Sequence, residues 1–417
     1  MSEQDTIAVI GAGVIGTAVA YALAREGHRV IMLDRAEPGV AGASFGNAGH
    51  IAAEVVQPLP SPGLLFGFWR ELYAFGGALD LPAKQVLRML PWIGRFAAAA
   101  FRRAENTLRL KPLVLPAASV WARWLQEMGR PELLRRHGHY EIELGGQAEA
   151  RSRAHARRML QVGVRTRPVS AEQLSPLRQA ANANSAAGLW FEDSAHVIDP
   201  LEAVRAFAAA AVAHKAVIRR MDVKGLASRG GKIEVLSKEP ALTVDAAVVC
   251  AGVESQALLA AFGLHAPLQA VRGYHVEIPG HAPFFDAPVV YNREHVIVTA
   301  MAGRLRASSY MEFNAADAPP DPRKPRRLRQ MVRALGYACP EDGASWMGSR
   351  PALPDYLPGI GRAPGPLKLF YAVGNQHIGL TTAPATADLI ADIVAQRTPR
   401  IPIAAFDLRR FHEVSHS

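Results

Sequence analysis

Thr6-Ile-Ala-Val-Ile-Gly-Ala-Gly-Val-Ile-Gly16, continued to Asp34, is the stretch whose reading decides the fold. Thr6 to Ile10 is a short apolar run, as expected of a strand buried on both faces of a parallel sheet. Gly11, Gly13 and Gly16 follow as a G-x-G-x-x-G turn. The first glycine permits the tight reversal, the second lets backbone approach a pyrophosphate, and the third lets helix pack on strand. Val14, Ile15, Ala18, Val19, Ala22 and Leu23 then repeat at helical spacing, and Gly27 supplies the helix stop. Arg29-Val-Ile-Met-Leu-Asp34 predicts a second strand ending in an acidic residue that can accept hydrogen bonds from a ribose. Strand, turn, helix, strand and Asp34 in register predict a Rossmann-like dinucleotide site, its phosphates at the helix N-terminus.

The chain has 417 residues, 49% of them hydrophobic, enough for two or three domain-sized units. Its two cysteines, Cys250 and Cys339, exclude a disulfide framework and fit a reducing compartment. No secretory leader or bilayer-spanning run is visible. A cytoplasmic location is therefore expected, with the inner face of the cytoplasmic membrane as the alternative. The formal charge is +10, carried by 39 Arg against 8 Lys. The densest run, Arg323 to Arg333, predicts a solvated helix. It lacks the interleaved aromatics of a nucleic-acid surface, which argues against that class of partner.

After Asp34 comes a segment rich in Gly, Ala and Ser, from Gly39 to Ile51, where backbone can lie close to a flat ligand. A helical region spans about 64–137. Within it Val86, Leu87, Leu90, Ile93, Phe96, Ala97, Ala100 and Phe101 form an apolar stripe flanked by Lys84, Arg88 and Arg95. We read this stripe as packed on its own domain, a membrane-surface helix being the alternative. Strands are expected at Tyr140–Leu144 and Gly188–Phe191, a helix over 200–214, and a second buried strand at Val244–Gly252. Residues 268–313 alternate as an antiparallel sheet should. A last strand over Leu367–Val373 leads to a loop, and Thr382-Ala-Pro384 reads as the N-cap and first turn of the final helix. This interleaving gives an α/β fold whose cofactor domain is assembled from separated segments (1–58, 196–262, 346–417). An α+β domain with the antiparallel sheet occupies 59–195 and 263–345.

Four segments give the sequence a family resemblance. They are Val9 to Gly16 with Asp34, Ala43-Ser-Phe-Gly-Asn-Ala-Gly49, Gly348-Ser-Arg-Pro-Ala-Leu-Pro-Asp355, and Gly374-Asn-Gln-His-Ile-Gly-Leu-Thr-Thr-Ala-Pro-Ala-Thr386. With Val248-Val-Cys-Ala-Gly252 they resemble the FAD-dependent D-amino acid oxidoreductases, the group of D-amino acid dehydrogenase, D-hydroxyproline dehydrogenase and glycine oxidase. The resemblance implies non-covalent FAD held by Gly11, Gly13, Val14, Ile15, Gly16, Asp34, Arg35, Ser44, Asn47, Ala48 and Gly49. Further along the chain it adds Val223, Ala251, Gly252, Gly374, Gly379, Leu380 and Thr381. It implies that Arg350 binds the substrate carboxylate, a task for which a planar, permanently charged guanidinium is suited. His377, where glycine oxidase carries an Arg, either binds substrate polar groups or shapes the flavin pocket. His50, Tyr274 and Tyr310 are substrate-site candidates, with Tyr291, His295, Arg304 and Arg306 in segments that could line the same cavity.

The implied reaction is hydride transfer from substrate Cα to flavin N5, oxidising a D-amino acid or D-proline-like imino acid. Electrons would pass to a quinone or other respiratory acceptor. Oxidation of a 2-hydroxy acid or an N-substituted amino acid is the alternative, as is a flavin-bearing relay subunit. No metal is expected, because His137-Gly-His139 has no further His/Cys cluster beside it in sequence and reads as an exposed loop.

Overall fold

Thr6–Ile10 lies at the centre of a six-stranded sheet, with Arg29–Asp34 on one side and Ala246–Val249 on the other. The computed structural model describes residues 5–280 and 282–412. Val217–Arg220 extends the sheet beyond Arg29–Asp34, and Lys368–Val373 then Gly359–Arg362 extend it beyond Ala246–Val249. The first five strands run parallel; Gly359–Arg362 is antiparallel to its neighbour. Ile7, Ala8, Val9 and Ile10 are all buried, because both faces of the sheet are covered. Helices Val14–Arg25, Pro200–Ala213 and Gly379–Val394 cover one face, packing Ala18, Val19, Phe207 and Ala387. A three-stranded antiparallel sheet covers the other, contributing Leu226, Ile233 and Val235. The expected strand over Val244–Gly252 is divided at Asp245, whose Oδ2 accepts from Thr6 N at 2.9 Å and whose Oδ1 pairs with Lys232.

The second sheet has nine strands. Gln269–Pro279 pairs antiparallel with both Arg304–Phe313 and Ser345–Ala352. Ser345–Ala352 is thus an edge strand here, although the sequence reading assigned it to the third cofactor segment. The sheet is not wholly antiparallel, since Val289–Tyr291 runs parallel to His139–Leu144. Helix Arg323–Ala334 packs Leu328 and Val332 onto it. This helix is less solvated than expected: Lys324 is fully buried and meets Asp80 at 2.6 Å and Glu312 at 3.4 Å. Glu312 in turn binds the equally buried Arg272 at 2.8 Å, so both cations are matched by carboxylates.

The apolar stripe of residues 86–101 is only partly turned inward. In helix Ala83–Ala100, Met89 and Trp92 are buried and Phe96 packs beside them, but Leu87 is 76% exposed and Phe101 71%. The reading of the whole stripe as domain packing is corrected accordingly. Among the described residues, no helix is long and apolar enough to cross a membrane.

The final helix begins at Gly379, three residues ahead of the expected Thr382 cap. The Thr382 hydroxyl donates back to the Ile378 carbonyl at 2.9 Å instead of capping. Pro384 lies inside the helix and has no N–H for the Leu380 carbonyl. Trp121 Nε1 from a neighbouring helix donates to that carbonyl at 2.9 Å, and the bond is fully buried. Trp121→Phe should therefore keep the ring but orphan the carbonyl, costing about 1–3 kcal/mol. A lower thermal unfolding midpoint is expected; an unchanged one would refute this role.

Candidate active site

The glycine turn works through close approach. Gly11 has φ +102°, and a Cβ there would reach the Cys250 carbonyl at 2.5 Å, while a Cβ on Gly16 would collide with the Gly11 carbonyl. Strand, turn and helix can meet only without these side chains. The Asp34 carboxylate is fixed by the turn itself, accepting from Ala12 N at 2.7 Å and Ala36 N at 3.1 Å. Val14 N donates to Ser44 Oγ at 2.9 Å, which ties the small-residue segment to the helix N-terminus.

From this turn a cavity of about 1030 Å³ runs to the nine-stranded sheet. Gly11, Gly13, Val14, Ile15, Asp34, Arg35 and Val223 line one end, with Ala251 and Gly252 after the Ala246–Val249 strand. Ser44, Asn47 and Ala48 line the middle, opposite Gly374, Gly379, Leu380 and Thr381. Gly16 and Gly49 do not line it. Gly16 holds the turn against the helix, and Gly49, at φ +73°, packs against the Val197 carbonyl and Met301. Cys250 does face the cavity, but burial pushes its thiol up, leaving it protonated and a poor nucleophile.

The nine-stranded sheet positions the small-residue segment. Arg306 Nη1 donates to the Asn47 carbonyl at 2.7 Å while Glu277 neutralises the guanidinium at 2.6 Å. His275 Nδ1 meets the Gly46 carbonyl at 3.0 Å, and the His275 ring stacks on Trp346 at 5.3 Å. Arg306 is therefore a brace, Arg304 pairs with the same Glu277, and neither lines the cavity.

Arg350, on the edge strand Ser345–Ala352, is enclosed by protein yet opens onto the cavity. It has no acidic partner among the described residues. Among them, its guanidinium has one hydrogen-bond partner, the Tyr310 carbonyl, 3.1 Å from Nη1. Burial pulls its pKa down, and no neighbouring carboxylate offsets this. A Cβ on Gly273 would collide with the guanidinium, so that glycine makes room for it. His377 is exposed to the same space; the protein packed around it, then the Arg350 charge, push its imidazole below its ordinary value. It is neutral near pH 7.

Tyr274 and Tyr310 line the cavity, but not with free hydroxyls. Tyr274 Oη donates to Glu312 at 2.6 Å, and Tyr310 Oη turns to Met331 Sδ. Tyr310 meets Arg350 through its carbonyl instead. His50 lines the wall with its Nε2 3.9 Å from Glu54. Tyr291 and His295 also line it, the former bonded to Tyr337 and the latter to Glu71.

Two residues not singled out from sequence are exposed by unsatisfied polar atoms. Gln376 lines the cavity with both amide atoms unpartnered, and the buried Tyr356 hydroxyl, whose ring lies 6.0 Å from His377, is also unpartnered. Tyr310, Tyr356, Gln376 and His295 all have positive φ, concentrating backbone strain around this end of the cavity. Gln376 stands in a loop the sequence reading marked; nothing in the sequence signalled Tyr356.

Residues 6–393 match the family described as DAO, FAD dependent oxidoreductase. D-amino acid dehydrogenase 2 of Ralstonia nicotianae is 32% identical, covering 97% of this chain and all of that one. D-amino-acid oxidase of Bradyrhizobium diazoefficiens is 29% identical over 99% of this chain and all of its own. Among solved structures, glycine oxidase from Geobacillus kaustophilus superposes with a TM-score of 0.76 at 21% identity, covering 98% of this chain and 99% of that one. The cavity fits the cofactor of that family: side-chain-free turn, fixed carboxylate and helix N-terminus converge on one elongated space.

Burial makes the site acid-sensitive. His196 is pushed down to about 4, His275 to about 3, and His50 well below the ordinary value near 6.5. Between these values the unfolded chain binds protons that the folded chain does not, so stability falls as pH drops from about 6.5. Glu54, raised to about 7 by burial, acts in the opposite sense, but one carboxyl against three imidazoles leaves the slope positive. The unfolding midpoint should hold near pH 7–8 and decline steadily from pH 6.5 to 4.5. A flat profile there would contradict the neutral histidines.

Proposed function

The chain belongs to the DAO family of FAD-dependent oxidoreductases, and from that membership we propose that it oxidises an amino acid at Cα. The substrate is a D-amino acid or a D-proline-like cyclic imino acid. The observation that carries this reading is Arg350, a guanidinium enclosed at the cavity wall with no acidic partner. Such a cation is expensive to bury alone, and a planar carboxylate satisfies it through two parallel hydrogen bonds. Clamping the carboxylate leaves Cα and the amine as the groups presented to the cavity, and this orientation is the main contribution of the protein. His377, neutral near pH 7, adds no second positive charge beside the amine and can accept a hydrogen bond from it.

We assign Gly11, Gly13, Val14, Ile15, Asp34, Arg35, Ser44, Asn47, Ala48, Val223, Ala251 and Gly252 to the cofactor, together with Gly374, Gly379, Leu380 and Thr381. Bound FAD supplies the two-electron oxidant for this reaction. Attachment is non-covalent, in keeping with the protonated Cys250 thiol. The Cα–H bond and an N–H proton are lost, giving an imine that water converts to the 2-oxo acid, or that persists when cyclic. The electrons pass on to a quinone or another acceptor rather than efficiently to oxygen. Support for a membrane quinone comes from the exposed Phe66, Phe75, Leu87 and Phe101 on the helices near Arg70 and Arg88. An amphipathic surface of this kind suits a bilayer interface.

An anaerobic substrate panel tests the reading. D-amino acids or D-proline analogues should bleach the flavin absorbance, and a quinone analogue should restore it faster than air does. Bleaching only by 2-hydroxy acids or N-substituted amino acids would replace the substrate assignment. No bleaching, with a tightly co-purifying protein, would favour a relay subunit. Arg350→Ala should keep its flavin spectrum and lose about 2–5 kcal/mol of substrate binding, seen as a KM higher by at least one order of magnitude. Unchanged kinetics would remove Arg350 from the site.

A further inference from the structure

Behind the cavity wall the chain gathers histidines and carboxylates that neither the parallel sheet nor the substrate site uses. The sequence paired His137 with His139 as one loop. Folding separates them. His137 is exposed and lies 2.8 Å from Asp286, whereas His139 is fully buried and opens the strand His139–Leu144. There it meets His50 and Glu54 from the segment that follows the small-residue loop. His139 Nε2 is 3.5 Å from Glu54 Oε2 and 3.7 Å from Glu141 Oε1, and His50 Nε2 is 3.9 Å from Glu54 Oε1.

We propose that His50, Glu54 and His139 form a binding site for a divalent transition-metal ion of the zinc type, with Glu141 beside it as a fourth donor. Three observations carry this. The first is spacing. The separations are too long for hydrogen bonds, but ligands about 2.0–2.2 Å from one tetrahedral ion stand roughly 3.3–3.5 Å from each other. Small side-chain movements would close the shell. The second is satisfaction. Both ring nitrogens of His139, Nε2 of His50 and Oε2 of Glu54 have no hydrogen-bond partner, in a region where such atoms are normally paired. The third is charge. Among the described residues, no Lys or Arg pairs with Glu54 or Glu141. The charges acting on them are those of His139, His155 and each other. A divalent cation would neutralise the two buried carboxylates at once.

The donor set decides the class of ion. Two imidazoles with carboxylates favour Zn(II), Fe(II) or Mn(II) over Ca(II) or Mg(II), which prefer all-oxygen shells. The outer contacts suit a structural site: Glu141 accepts from Asn292 Nδ2 at 2.6 Å and meets His155 Nε2 at 2.9 Å, which fixes its carboxylate. The ion would join the segment behind the cavity wall, through His50, to the strand His139–Leu144 of the nine-stranded sheet. The two are not neighbours in either sheet. This makes the ion a clamp between cofactor segment and substrate sheet, and the inference does not depend on the identity of the substrate.

The test uses flavin-loaded, tag-free protein. It is stripped with a chelator, re-equilibrated separately with Zn(II), Mn(II) or Fe(II), and freed of excess ion. Elemental analysis should find about one equivalent of one ion per flavin, with a raised thermal midpoint because the ion binds the folded chain. His139→Asn and Glu54→Gln should each retain under about a tenth of an equivalent while keeping flavin absorbance, because they remove first donors only. Wild-type protein that retains none of the three ions would overturn the proposal, as would variants that retain a full equivalent. If a variant fails to fold, the wild-type measurement decides.

Discussion

A guanidinium closed in by protein without a counter-charge is the constraint around which the substrate end of this molecule is arranged. Removing such a cation from water costs several kcal/mol unless something replaces its solvation. Elsewhere the chain meets that cost with carboxylates: Arg272 and Lys324 share Glu312, and Arg306 has Glu277. Among the described residues, the Arg350 guanidinium receives only the Tyr310 carbonyl. Its neighbours adjust to this. Gly273 withdraws its side chain, His377 stays neutral, and Tyr310, Tyr356 and Gln376 hold strained backbone angles. Strain and an uncompensated charge together lower stability, and a protein keeps them where binding recovers the loss.

The glycine turn and the antiparallel sheet are mechanically one unit. The segment over residues 44–49 is pinned at one end by Ser44 to the helix N-terminus and in the middle by His275 and Arg306 to the sheet. Both sheet residues act on backbone carbonyls, so the side chains of the segment can stay small while its path is fixed. The cofactor domain alone would leave this loop without its braces. A shift of the sheet would therefore be felt at the cavity, and the chain's repeated passage between the two sheets keeps them coupled.

The parts of this fold that were legible in sequence are those fixed locally. Apolar runs such as Thr6–Ile10, the glycines of the turn and Asp34 at a strand end each carry their own instruction. What escaped depends on partners distant in sequence. Thr382-Ala-Pro384 has the chemistry of a helix start, yet a tryptophan from residue 121 satisfies the carbonyl that Pro384 leaves open, and the helix extends back to Gly379. Lys324 sits in the most basic run of the chain and is nonetheless buried, because Asp80 and Glu312 arrive from other elements. At the cavity, the glycine-turn positions were readable because their pattern is set by close backbone approach within a few residues. Tyr274 and Tyr310 were named because their segments could line the cavity, and they do, but the fold commits their hydroxyls elsewhere; Gln376 and Tyr356 became visible only as polar atoms left without partners.

Those unpartnered atoms bear on selectivity. Beside the single positive charge of Arg350, the free hydrogen-bonding capacity near His377 belongs to uncharged groups, the Gln376 amide and the Tyr356 hydroxyl. A buried polar group left unpaired costs about 1–3 kcal/mol, so a molecule that pairs it gains that much over one that does not. An extra methylene in an apolar pocket changes binding by a similar 1–3 kcal/mol, but a pocket built to hydrogen-bond discriminates far more sharply against analogues that lack the group. Both groups are buried, so a bound molecule would pair with them only after a small movement opens them, and selection would then follow its donors and acceptors more than its bulk. On the proposed reading Arg350 holds the carboxylate end, and these neutral groups act on the polar atoms carried beyond it.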